Sequence, residues 1–191
     1  GIDVVVTREP GGTEIAEIIR EALLKKTHNE RMSDITELLL VFAARAQHIE
    51  AFVKPALERG CWVLCDRFTD STIAYQGYGR RLKLDTISQL KTIAQMGIEP
   101  DKTFLLDAPI DIGMGRAQAR GPADRFEVEQ LDFFTRVREG FLAIAKASPN
   151  RVHIINAAQQ LTAVPVSYTN PTPSTHHHAD TTEEPAPAKT H

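Results

Sequence analysis

Four short runs, Val4–Val6, Cys61–Cys65, Thr103–Asp107 and Arg151–Ile155, carry apolar residues side by side rather than on alternate positions. Consecutive apolar side chains suit strands buried on both faces of a parallel sheet, because alternation is the mark of a sheet with one wet face. Helical periodicity fills the intervals. An apolar stripe of Ile15, Ile18, Ile19, Ala22 and Leu23 predicts a helix over about 14–25. The Asp34-Ile35-Thr36-Glu37 start resembles a capping box and predicts a helix running toward Leu57, with Pro55 kinking its last turn. Further helices are expected at about 85–96, 110–120 and 130–147. Strands alternating with helices specify an α/β, doubly wound fold with a parallel sheet.

The 191 residues carry a formal net charge of −3. A near-neutral chain is not built to coat nucleic acid or an acidic membrane surface. No apolar run approaches the roughly 20 residues that span a bilayer. Cys61 and Cys65 sit four apart on one expected strand, about 13 Å from each other, too far for a disulfide and outside any CxxC pair. That usage suits a reducing cytoplasm. The last stretch differs from the rest: residues 165–191 hold five prolines, no glycine, and only Val166 and Tyr168 as large apolar side chains. Such a composition cannot offset its ordering entropy, so the expected division is a folded 1–164 and a disordered tail of 165–191. The adjacent His176, His177 and His178 lie in that tail and are read as incidental rather than as a metal tract.

In doubly wound folds ligands sit beyond the carboxyl ends of the strands. There the sequence places Thr7-Arg8-Glu9-Pro10-Gly11-Gly12-Thr13, then Asp66-Arg67-Phe68, then Asp107-Ala108-Pro109. Each loop alone reads as ordinary solvated charge; three successive charged strand ends form a crevice. Arg67 offers a planar fork suited to a phosphate, and Asp66 is placed to orient it or to hold a metal-bound water. Ser71 and Gln76 present hydrogen-bonding edges, and a glutamine amide matches the face of a nucleobase. A third cluster, Arg116-x-x-x-Arg120-Gly121-Pro122-Ala123-Asp124-Arg125, sets two arginines on one helix face before a Gly-Pro turn.

The string from Leu64 to Gln76, the opening Thr-Arg-Glu-Pro-Gly-Gly-Thr and the Ala43-Ala44-Arg45 helix resemble the thymidylate kinases of bacteria, in register from about residue 1 to 159. The resemblance implies the fold of the P-loop nucleoside monophosphate kinases and the transfer of a phosphoryl group from ATP, with Mg2+, to dTMP. It assigns the dTMP phosphate to Arg67 and Arg20, and puts Glu9 near the sugar and phosphate. Thymine is assigned to Arg45, Gln76 and a supporting Ser71. The family's stacking aromatic, four residues before that arginine, is Val41 here, which leaves Phe42 or Val41 to meet the base. Arg116, Arg120 and Arg125 match a lid that closes over the ATP phosphates, so Arg67, Arg120 and Arg125 are the expected catalytic residues. A homodimer is implied as well.

Transfer in this fold rests on a Gly-x-x-x-x-Gly-Lys-Ser/Thr loop, and no glycine in this sequence is followed by lysine. The family carries that loop on a first, central strand and first helix that precede the segment matched here. With an expected strand order of 2-3-1-4-5, two strands would then face an empty position, the chain would be marginally stable, and it would be inactive alone. A non-catalytic nucleotide-binding or dimerisation relic is the alternative. A kinase for another nucleoside monophosphate is disfavoured by Tyr75-Gln76-Gly77.

Overall fold

A computed structural model describes residues 1–25, 30–120, 124–126 and 129–158. The expected tail, its three histidines and the 121–123 turn lie outside the described residues. The element order is β1 (Val4–Arg8), α1 (Glu14–Leu24), α2 (Asp34–His48), α3 (Lys54–Glu58), β2 (Trp62–Asp66), α4 (Thr69–Thr72), α5 (Leu84–Gln95), β3 (Thr103–Asp107), α6 (Ile110–Arg120), α7 (Leu131–Ala147) and β4 (Val152–Asn156). Each expected strand and helix is present, with ends shifted by a residue or a few.

β1 pairs with β2 and β3 with β4, both in parallel, as two separate two-stranded sheets among the described residues. These are the two outer pairs of the expected strand order. The strands are not buried on both faces as their apolar runs predict: Val6 is 71% exposed, Trp62 63% and Leu106 63%. In each of β1, β2 and β3 alternate residues are exposed, because helices cover one side of each narrow sheet and nothing described covers the other.

Two helical segments depart from the sequence pattern. The run from Asp34 to Glu58 is continuous, but Ile49–Val53 winds in wider π-type turns directly before Pro55, which has no N–H to give to the preceding turn. The widened turn absorbs the proline. The capping expectation at Asp34 and Glu37 is also corrected. Ser33 caps α2, its hydroxyl accepting from the Thr36 N–H at 3.2 Å, while Glu37 turns inward. Glu37 meets stronger donors there than a helix N-terminus offers.

The core lies between α2, α5 and the segment 73–79, where Leu38, Phe42, Ile87 and Ala94 pack together. A second cluster joins Ala74 to Phe133 and Val137 of α7. That contact is close enough to require glycine at position 79: a Cβ there would come within 2.6 Å of the Phe133 ring. Arg136 of α7 seals the approach by donating to the Gly79 carbonyl at 2.9 Å. The 73–79 segment is thereby pressed against α2, which fixes the crevice described next.

Candidate active site

The ends of β1 and β2 meet where the Glu9 N–H donates to the Asp66 carbonyl at 2.9 Å. From this seam the two charged loops diverge. Gly11 and Gly12 adopt φ of +134° and +87°, conformations that other residues rarely take, and a Cβ on Gly12 would strike Thr7 Oγ1 and the His48 ring. The tight turn turns Glu9 inward, where it is 3% exposed.

Glu9 is the centre of a buried polar network. Its Oε2 accepts from Arg45 Nε at 2.7 Å and its Oε1 from His48 Nδ1 at 2.9 Å. The other nitrogen of His48 lies 2.7 Å from the Thr7 hydroxyl. Arg45 also donates from NH2 to Thr72 Oγ1 at 2.9 Å. Its guanidinium carbon stands 5.0 Å from the Phe42 ring centre and 5.2 Å from that of Phe68. Burying a charge this deeply is costly unless every donor is engaged. One is not: Arg45 NH1 is buried and has no partner within the protein. A cation at 2% exposure with one free donor is poised for an acceptor supplied from outside.

Two turns earlier on α2, Glu37 forms a second buried junction, 1% exposed. Gln76 Nε2 donates to its Oε1 at 2.8 Å, and Arg80 and Arg125 donate to its Oε2 at 3.2 and 2.6 Å. Residues 37, 41 and 45 share one helix face, so Val41 stands between the two junctions. Phe42, the residue read as one of two stacking candidates, lies in the core beneath Arg45 and supports the cation through its ring.

Arg67 has a φ of +67°, a strained value for a residue other than glycine. The Cys65 thiol donates to its carbonyl at 3.1 Å, and its guanidinium lies 5.2 Å from the Tyr75 ring centre. Burial draws the Arg67 pKa down, but Tyr75, Asp66 and Asp124 outweigh it and hold the value above that of a free arginine. Burial also pushes the Cys65 thiol up to about 12, with Glu9 adding to the effect. Arg20 donates from NH1 to the Pro10 carbonyl at 2.8 Å, which brings it to the Glu9 loop beside the β1–β2 seam. Ser71 is half-buried in α4, one helical turn from Gln76.

These contacts bring Glu9, Arg20 and Arg45 together at the β1–β2 seam, while Gln76 sits at the Glu37 junction, Arg67 beside Tyr75, and Ser71 in α4. The lid residues are disposed differently. Arg116 donates to the Ala157 carbonyl at 2.6 Å, and the side chain of Arg120 lies outside the described residues. Arg125 donates to Glu37 at 2.6 Å and to the Leu23 carbonyl at 2.7 Å. Glu37, His48, Phe68 and Thr72 belong to the site without having been legible as a motif. The available hints are spacing: His48 falls one turn after Arg45, and Thr72 one turn before Gln76.

Among the described residues no group of three or more His, Cys, Asp or Glu side chains is placed to hold a metal, and no helix is long and apolar enough to cross a membrane. Asp107 is already clamped by Arg138 through bonds of 2.7 and 2.8 Å. Asp66 is exposed at the end of β2.

Residues 1–166 match the family model for thymidylate kinase. The thymidylate kinase of Pseudomonas fluorescens is 56% identical over 164 residues, a match that covers 86% of this chain and 78% of the relative. That of Teredinibacter turnerae is 55% identical over 163 residues, covering 85% and 79%. The crystal structure of thymidylate kinase from Ehrlichia chaffeensis superposes with a TM-score of 0.65 at 37% identity, covering 80% of this chain and 74% of that one.

Proposed function

The chain belongs to the thymidylate kinase family, and on that premise we propose how its crevice serves the phosphorylation of dTMP to dTDP by ATP. The observation that carries the proposal is the pairing of one free donor with one free acceptor across Val41. Arg45 NH1 has no partner. Gln76 spends its amide nitrogen on Glu37, which leaves its Oε1 to accept. Thymine presents the complement, a carbonyl O4 beside an N3–H. Val41 forms the aliphatic floor between them, and Phe42 acts from below by holding the Arg45 cation.

Arg67 and Arg20 supply opposite charge for the dTMP phosphate, and the Tyr75 ring supports the Arg67 guanidinium. Glu9 faces the sugar side and keeps Arg45 oriented; Ser71 supports Gln76. In the reaction a dTMP phosphate oxygen attacks the γ-phosphorus of ATP and the bond to ADP breaks, so the protein's task is positioning and charge neutralisation. Bound with ATP, Mg2+ would supply charge neutralisation at the phosphates, with Asp66 holding a coordinated water. Arg116 and Arg120 are the lid arginines for the ATP side. Arg125 reaches a phosphate only by releasing Glu37. We place the protein in the cytoplasm as a homodimer, with Ile35 and Leu39 of α2, 47% and 50% exposed, as the apolar surface for a second copy.

Calorimetric titration of dTMP into the chain tests this reading: saturable binding at one site per chain supports it, and no binding refutes it. ADP release from ATP on addition of dTMP tests the transfer step itself.

A further inference from the structure

We propose that Glu37 is a positioning residue that sets base specificity by fixing which end of the Gln76 amide faces the base. This rests on the reading of the crevice as the dTMP site. A free glutamine amide reads either hydrogen-bonding pattern, because a half-turn about its last torsion exchanges oxygen for nitrogen. Here that freedom is removed. Glu37 is 1% exposed and is held by guanidinium groups from two directions, Arg80 from the end of the 73–79 segment and Arg125 from beyond α6. A carboxylate so held offers only acceptors, so the atom of Gln76 lying 2.8 Å from it must be the Nε2 donor.

The consequence is a one-way reader. Held through one Nε2 N–H by Glu37, the amide turns its Oε1 to the opposite side, and Gln76 shows the base an acceptor that pairs with the N3–H of thymine and opposes the bare N3 of cytosine. Arg45 NH1 reinforces the choice, since it meets a carbonyl at O4 and repels the amino group that cytosine carries there. The reverse orientation of Gln76 would set its carbonyl oxygen against the Glu37 carboxylate, leaving two buried acceptors face to face. Specificity at the base is thereby enforced by a residue that does not touch it. Arg80 and Arg125 share the carboxylate, so the 124–126 segment is tied to the same junction.

The test compares dTMP and dCMP affinities of the wild-type chain and of Glu37→Gln by calorimetry. A glutamine at 37 accepts or donates, so the Gln76 amide is released to turn over. The expected result is a dTMP/dCMP preference reduced on the order of tenfold or more, chiefly through weaker dTMP binding. A merely structural Glu37 weakens both nucleotides alike and leaves the ratio unchanged, and that result overturns the proposal. Should the variant fail to fold by circular dichroism, side-chain amide NMR of the wild-type chain decides instead, with Gln76→Leu assigning the signal. The Gln76 amide protons are expected to keep their shifts on saturation with dTMP while the thymine imino proton becomes protected from exchange. An amide that shifts as a new donor to the base overturns the proposal. A wild-type preference for dTMP that Glu37→Gln leaves unchanged overturns this proposal alone, and a wild-type chain that binds dTMP without preferring it to dCMP overturns the base-edge reading with it. One that binds neither nucleotide overturns the base-site reading and this proposal with it.

Discussion

Arg45 Nε lies 2.7 Å from Glu9 Oε2, and the two side chains are 2% and 3% exposed. This ion pair joins the β1 loop to α2, and its energetics are those of buried charge: removing one partner strands the other. Arg45→Met is therefore expected to cost about 3–5 kcal/mol in urea unfolding. The double variant Glu9→Gln, Arg45→Met should recover a large part of that loss. A single variant as stable as wild type would show that the pair contributes nothing to the fold.

The phosphate role of Arg67 separates from the base role of Arg45 by choice of ligand. Arg67→Ala should weaken dTMP by about tenfold to a hundredfold, the worth of a charge-assisted fork on a dianion. Thymidine, which lacks the phosphate, should bind the variant and wild type alike. Equal weakening of both ligands would move Arg67 from the phosphate to the framework.

Cys65 gives a pH dependence with a defined sign. Its thiol is pushed up to about 12 by burial first and by Glu9 second, and it donates to the Arg67 carbonyl. A group whose folded pKa is raised contributes stability that is complete below its unfolded value, about 8.5, and is lost as pH rises toward 12. Melting temperature should fall across that alkaline range, and Cys65→Ser should fall less steeply. At pH 8 the thiolate is scarce, so iodoacetamide should modify Cys65 slowly in the folded chain and quickly in urea, as read by peptide mass spectrometry. Rapid stoichiometric labelling of the folded chain would contradict this.

What the sequence made legible follows from what local pattern encodes. Consecutive apolar runs located all four strands and amphipathic stripes located the long helices, because both signals lie within a few residues. The helical turns over 69–79 carry no helical signal of their own, since Thr69, Ser71, Gly77 and Gly79 are poor helix formers and α7 holds them in place from outside. The strands' exposed faces were equally out of reach, because burial depends on what covers a sheet and not on its own composition. The crevice was visible as charged strand ends, but its inner network was not. Glu9 meets Arg45 across 36 residues and His48 across 39, and no periodicity links such positions. Glu37 was mistaken for a cap for the same reason: its partners Gln76, Arg80 and Arg125 come from segments far along the chain.

The central claim is that a donor from Arg45 and an acceptor from Gln76 read thymine in a crevice that also binds its phosphate. The most direct measurement is a calorimetric comparison of dTMP with dCMP on the wild-type chain, where sugar and phosphate are shared and only the base edge differs. The account predicts saturable dTMP binding and dCMP binding weaker by a factor on the order of thirty or more. Equal affinity for the two nucleotides would contradict it.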